Sequence, residues 1–320
     1  RHPHWRIHGA GQVVRPVGPQ LMARAGLLAR LRQFMAKAGL LEVETSLMVA
    51  HPALEPHIEP FAIGPQGPYL NSSPEYAMKR LLAKGSGSIY QICKSFRKEE
   101  QGQRHRSEFT LLEYYVVGAD LAGLMDFTDQ LQQTVFNWPK AERVAYGELF
   151  KAHLGLDPLS LNEAQFLNLI NKRGESAPSF LLGAAVSQED RLDFLFSSYI
   201  EPHLGEVSPV FVFHYPPFMA ALARLDPLTG QACRFEVFYK GLELGNGYFE
   251  LKQRAEQRNR FDLVNQKRLE RGDLALPLDE PLLSALDTLP DCAGLAMGLD
   301  RVLMIELGSD DIRETLAIND

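Results

Sequence analysis

The chain has 320 residues, 45 % hydrophobic and 23 % charged, with a formal net charge of −7. That is the balance of a soluble globular protein with a sizeable core; there is no apolar run of membrane-spanning length and no leader-like start. Its basic residues cluster locally, at 94–106 and 254–271, which suits a small polyanion in a positive pocket better than a long nucleic acid on a basic face. Cys93, Cys233 and Cys292 are scattered without metal spacing, as expected of inert thiols in a reducing cytoplasm.

In chain order, residues 1–18 hold His2, His4 and His8 without periodicity and read as an arm. Gln20 to Ala38 sets Leu21, Ala25, Leu28, Leu31 and Met35 on one face and stops at Gly39, predicting an amphipathic helix. Leu40 to Thr45 reads as a strand. Ser73-Pro74-Glu75 is a helix start, with a capping hydroxyl, a proline at the first position and an acid facing the dipole; the helix runs to about Ala83. Ser88–Phe96 and Glu108–Val117 form a long hairpin around the polar segment 97–107, and Asp120–Trp138 is helical. Residues 140 to about 205 look like an insertion, helical near 162–171 and 188–199. Strands resume at Val210–His214 and Cys233–Tyr239, a charged helix spans 252–271, and Gly294–Ile305 is a strand turning through glycines into a helix. Hairpin-linked strands with few short βαβ units predict an α+β fold, an antiparallel sheet flanked by helices, with 19–320 as one domain.

Three segments carry charges where a core would reject them. Arg97 at a strand end offers a planar fork for phosphate oxygens, with Phe109 available to stack on a flat base. Gly298-Leu-Asp-Arg301 opens a helix whose N-terminus favours an anion, and an arginine in that first turn calls for one. Glu236, Glu243 and Glu250 recur every seven residues in an otherwise apolar stretch. Unpartnered buried carboxylates are costly, so a cation should meet them: a metal carrying phosphates, or the ammonium of an amino acid. Odd steps change the face of a strand, so this ladder requires a turn or bulge at Gly241 and at Gly245–Gly247. Neither a Gly-x-x-x-x-Gly-Lys-Ser/Thr loop nor a Gly-x-Gly-x-x-Gly fingerprint is present. The alternative for each segment is local: a solvated hairpin tip, a tight turn with Arg301 on Asp300, and glutamates paired with neighbouring arginines.

Taken together, these segments resemble the catalytic domain of class II aminoacyl-tRNA synthetases. Leu40-Leu-Glu-Val-Glu-Thr45 is similar to the first family motif, Phe96-Arg97-Lys98-Glu99 with Glu108-Phe109 to the second, and Gly298-Leu-Asp-Arg301 to the third. Ser73-Pro-Glu75-Tyr-x-Met-Lys79 and Glu243-Leu-x-Asn246-Gly-x-x-Glu250-Leu resemble the lysine-specific branch. With the first helix near residue 20 there is no room in this sequence for an anticodon-binding barrel. The resemblance therefore narrows to the stand-alone paralogues that attach a β-lysyl group to translation elongation factor P, which carry alanine at the position of Ala296 where the synthetases have glycine.

What the resemblance implies is an ATP- and Mg²⁺-dependent ligase, a cytoplasmic homodimer acting on (R)-β-lysine and on elongation factor P, with no tRNA and no membrane as partner. It places Arg97, Lys98, Glu99, Arg106, Phe109, Glu243, Leu244, Gly298 and Arg301 around ATP. Arg97, Glu243 and Arg301 would be catalytic, and Glu236 and Glu243 would hold Mg²⁺. Ser73, Pro74, Glu75, Tyr115, Asn246, Glu250 and Ala296 would line the amino-acid pocket, with Glu250 on the distal ammonium. The chain departs from the family pattern at Ser46, where the first motif has proline, at Arg106, where the second has asparagine, and at Lys252-Gln253 after the Glu-Leu pair. Two other readings stay open: a tRNA-charging enzyme of the lysyl type, and a non-enzymatic paralogue.

Overall fold

The computed structural model describes residues 18–55, 58–64, 67–98, 101–183 and 186–318. Helix α1 (Pro19–Lys37) leads into the short strands β1 (Leu41–Glu42), β2 (Met48–Val49) and β3 (Tyr69–Leu70). After them come α2 (Glu75–Ala83), β4 (Ile89–Phe96), β5 (Glu108–Val117) and α3 (Leu121–Leu131). The 140–205 segment contributes β6 (Glu142–Ala145), α4 (Tyr146–Leu154), α5 (Glu163–Lys172) and α6 (Gln188–Tyr199). Strands β7 (Val210–Tyr215), β8 (Ala232–Tyr239) and β9 (Leu242–Phe249) precede α7 (Arg254–Glu270) and α8 (Glu280–Ala285), and β10 (Cys292–Gly298) runs directly into α9 (Leu299–Leu307).

The hairpins stack into one eight-stranded sheet of order β1-β4-β5-β10-β9-β8-β7-β6. Its six central strands are antiparallel, while the edge pairs β1/β4 and β6/β7 are parallel. The fold is α+β. Alternation gives each strand one apolar face. Leu112 and Tyr114 of β5, Phe235 and Val237 of β8, and Leu295 and Met297 of β10 are buried in one core with Leu27, Leu31, Phe34 and Met35 of α1 and residues of α3 and α9. The opposite face is left for polar side chains.

Several local expectations shift. In α1 the buried stripe is Leu27, Leu31, Phe34 and Met35, whereas Leu21 and Ala25 face outward, because the sheet meets the C-terminal half of the helix. The strand expected over 40–45 pairs at Leu41 and Glu42 alone. Helix α3, capped by Asp120, ends as an α-helix at Leu131 and widens into a π turn over Gln132–Phe136. Ser73 does not sit at the N-cap position of α2, which Pro74 occupies, but its hydroxyl still accepts from the Glu75 N–H at 3.1 Å. Helices α4 to α6 form a second aromatic core over β7 and β8, in which Tyr146, Phe150 and Phe196 meet Tyr215 and Phe238. That brings the 140–205 segment over the polar face of the sheet. His2, His4 and His8 lie outside the described residues. All three cysteines are free.

Candidate active site

Strand register explains the site. Direct cross-strand partners share a face, and one such row runs Gln91–Glu113–Ala296–Asn246–Glu236 across β4, β5, β10, β9 and β8. The next row is Tyr115–Gly294–Tyr248–Arg234. These two rows make the floor of the polar face. The glutamate ladder reaches it by a route the spacing only half predicts. The β8–β9 turn is made at Lys240 and Gly241, both with φ near +60°, as expected for Gly241. The second change of face is a bulge: Val237 pairs with Gly245 and Phe238 with Glu243, leaving Leu244 as the extra residue. Gly245 and Gly247 are needed for another reason. A Cβ on Gly245 would sit 2.8 Å from the Ala296 carbonyl oxygen, and one on Gly247 2.7 Å from the Phe235 ring.

A cavity of about 340 Å³ over this floor is lined at one end by Arg97, Arg104, Arg106, Arg301 and Glu243, and at the other by Ser73, Glu75, Asn246 and Ala296. Phe109, Leu244 and Gly298 also line it. At the arginine end, the Arg97 guanidinium lies 5.0 Å from the Phe109 ring centroid. Arg301 donates from Nη1 to the Glu243 carbonyl at 2.6 Å and from Nε to the Arg104 carbonyl at 3.2 Å. The local reading of Arg301 on Asp300 fails, since Asp300 is taken by Arg24 and by the Thr110 N–H. Five guanidinium groups line this one small cavity, Arg234 already on Glu236 and the other four together, an arrangement suited to a polyanion.

The other end is built from buried charge. Lys79, 2 % exposed, reaches Glu75 Oε1 at 2.5 Å and Glu250 Oε2 at 2.6 Å. Glu113, also 2 % exposed, accepts from Ser73 Oγ and from the Tyr115 hydroxyl, each at 2.6 Å. Burial, reinforced by the charge of Glu75, pushes the Glu113 carboxyl up to about 8. Burial likewise pushes Glu250 up to about 8, against the pull of Lys79. Burial opposes the charge on Lys79, but Glu250 and Glu75 outweigh it and hold the ammonium above its ordinary range. Two buried carboxylates, Glu75 and Glu250, thus share Lys79, and a third, Glu113, is held by hydroxyls alone among the described residues. The group lacks positive charge, and a ligand bearing ammonium groups would supply it.

Most of the residues expected at the site come together here, with exceptions. Lys98 is exposed and does not line the cavity. Pro74 opens α2 and faces a separate cleft toward Glu44 and His51. Tyr115 acts from behind, through Glu113. Glu250, expected on a substrate ammonium, is 1 % exposed, lines neither this cavity nor the larger one beside it, and has Lys79 for its partner. Of the carboxylates expected around the amino acid, Glu75 is the one in the cavity wall. Glu99 lies outside the described residues.

A metal carried by phosphates fits Glu243 and fits Glu236 poorly. Glu243 lines the cavity, and burial, then the charge of Glu236, pushes its carboxyl up to about 7, the signature of an acid short of a cation. Glu236 has one oxygen on Arg234 and the other on the Tyr215 hydroxyl at 2.6 Å, so both are already engaged. Residues not anticipated are Glu113, Lys79, Arg104, and Glu201 from the 140–205 segment, whose carboxylate accepts from the Glu243 N–H. Glu113 had a signal: it is the acid inside an apolar strand, two residues from Tyr115. Glu201 had none, because only the fold brings that segment over β9.

A family model described as tRNA synthetases class II (D, K and N) matches residues 15–318. The chain belongs to the class II aminoacyl-tRNA synthetase family. It is 43 % identical over 312 residues to the elongation factor P–(R)-β-lysine ligase of Klebsiella pneumoniae subsp. pneumoniae, covering 93 % of this chain and 94 % of that protein. It is 41 % identical over the same length and coverage to the ligase of that name from Salmonella dublin. Membership in this family accounts for the sheet, for the arginines on strand ends and for the absence of a phosphate-binding loop. Among the described residues, no helix is long and apolar enough to cross a membrane.

Proposed function

We propose that this chain activates (R)-β-lysine with ATP and transfers the β-lysyl group to the ε-amine of a lysine on translation elongation factor P. The observation that carries the reading is the two-ended cavity, with four arginines at one end and, at the other, Glu75, whose partner Lys79 it shares with the buried Glu250, and Ser73, which donates to the buried Glu113. A molecule spanning it needs phosphates at one end and ammonium groups at the other, which describes an aminoacyl adenylate of a diamino acid. The names of the 41–43 % identical relatives agree with that substrate.

The first step joins the carboxylate of β-lysine to the α-phosphorus of ATP and releases pyrophosphate. A carboxylate is ionised at neutral pH, so this attack needs no general base. Arg97 and Arg301 neutralise charge on the phosphates and hold them in line, while Phe109 gives the base a stacking face. Arg104 and Arg106 add positive potential. Mg²⁺, when bound, supplies further positive charge to the triphosphate, and Glu243 is the carboxylate to hold it. Glu75 and Asn246 orient the amino acid. Ala296, between Glu113 and Asn246 in the floor row, sets how close the substrate's α-carbon approaches the sheet. We further propose a cytoplasmic homodimer; the exposed apolar side chains Leu21, Met22, Leu41, Leu47 and Met48 on and beside α1 and β1 supply an apolar surface for it.

The test is pyrophosphate–ATP exchange without tRNA, comparing (R)-β-lysine with α-lysine. Strong exchange with β-lysine, followed by a mass gain on elongation factor P, is the expected result. A preference for α-lysine, with charging of tRNA, would replace this reading with a synthetase, and exchange with neither would make the chain a binding protein.

A further inference from the structure

Beside the adenylation cavity lies a second, of about 800 Å³, that the two substrates of the first step do not require. Its walls come from α4 and α6 on one side, α7 on another, and the β8–β9 floor. The two cavities share Glu55, Ile58, Arg234, Glu236, Asn246 and Tyr248, so the larger one opens onto the middle of the smaller. Much of its lining is apolar, with Leu54, Phe196, Leu222, Phe261 and Val264 in its walls.

Two polar groups in these walls have no hydrogen-bond partner among the described residues: the Tyr146 hydroxyl, on a side chain 1 % exposed, and Gln257 Nε2, on one 2 % exposed. Buried polar atoms are rarely left unmade, and two in one cavity mark a place for a ligand's polar groups. The walls also carry five carboxylates, on Glu55, Glu189, Asp193, Glu236 and Glu270, against three cations. Each cation is already on a carboxylate: Arg234 on Glu236, Arg260 on Glu256 at 2.9 Å, and Lys267 on Glu189 at 3.2 Å. What fits is a chain with an aliphatic stem, a positive tip and peptide groups behind it.

We propose that this cavity admits the acceptor lysine of the protein substrate, its stem against Phe196, Phe261 and Val264 and its ammonium beside Asp193 and Tyr146, while Gln257 donates to a backbone carbonyl of the same loop. The inference rests on the transfer reaction proposed above and adds the route by which the acceptor arrives. Asp193 lies near Glu189 and Asp190 of its own helix and near Arg234 and Glu236 of β8. Acids prevail in that surrounding, and an arriving ammonium offsets them.

Three variants test it: Val264→Trp to fill the cavity, Asp193→Asn to remove the charge, and Tyr146→Phe to remove the hydroxyl. Each is assayed twice, by β-lysine-dependent pyrophosphate exchange and by transfer to elongation factor P. The expected result is exchange within about twofold of the parent for all three, which also shows that they fold, with KM for the acceptor protein raised at least about tenfold in Val264→Trp and Asp193→Asn. Unchanged transfer in both of those overturns the proposal. So does a parallel fall in exchange and transfer in all three, which would give the cavity to adenylation. A parent protein that exchanges nothing with β-lysine fails the underlying reading first, before any variant is made.

Discussion

Gly294 stands directly opposite Tyr115 in the β5–β10 pairing, and a Cβ on Gly294 would lie 2.3 Å from the Tyr115 ring. The glycine makes room for a ring whose hydroxyl holds Glu113. Gly294→Ala should therefore displace Tyr115, cost about 1–3 kcal/mol of stability by overpacking, and raise KM for the amino acid far more than KM for ATP. Steady-state exchange kinetics at varied lysine and varied ATP would show that split; equal effects on both would detach Gly294 from the amino-acid end.

Glu113 should link substrate binding to pH. Burial and the charge of Glu75 push its carboxyl in the folded protein up to about 8, whereas an unfolded glutamate titrates at about 4.3. The native state thus holds more protons across that window, and this group's contribution to stability is lost as pH rises through it. A bound ammonium favours the ionised form, so amino-acid affinity should rise with pH up to about 8, with proton release on binding. Calorimetry in buffers of different ionisation enthalpy would detect the proton. Glu113→Gln should weaken binding and raise Tm above the parent's at pH 8.5, and a lower Tm there would count against the assignment.

Arg97 and Arg301 line one cavity from different elements, a strand end and a helix start. Arg97→Ala and Arg301→Ala should each lower the rate of adenylate formation about 10²–10³-fold, the usual effect of losing one preorganised donor to developing charge. Single-turnover adenylation measures it directly, and near-normal rates in either variant would refute the role.

Glu243, pushed up to about 7 chiefly by burial and by Glu236, should compete with protons for Mg²⁺. The Mg²⁺ concentration giving half-maximal exchange should fall as pH rises from 6 to 8. In Glu243→Gln it should be raised at least about tenfold and lose that pH dependence. A metal requirement unchanged in this variant would move the metal elsewhere.

Ala296 faces Glu113 on one side and Asn246 on the other. Ala296→Gly should deepen the pocket there and increase exchange with α-lysine relative to β-lysine; an unchanged ratio would show that the methyl does not set the choice.

The sequence by itself determined the elements and the chemistry of single residues. Alternating apolar positions define β4, β5, β8 and β10, glycines mark turns, Asp120 marks the start of α3, and arginines at strand ends point to a phosphate site, because these properties depend on neighbours a few residues apart. The floor rows of the sheet depended on register, and register is a relationship between strands up to two hundred residues apart. Only the tertiary structure could put Glu113, Ala296, Asn246 and Glu236 in one line, or place the bulge at Leu244 rather than at Gly245–Gly247. The fold also decided partners. Glu250 has Lys79 and Glu236 has Arg234 and Tyr215, so two carboxylates that looked alike in sequence to Glu243 already have partners. A charge's role is set by what packs against it, and packing across the sheet is not written in spacing along the chain.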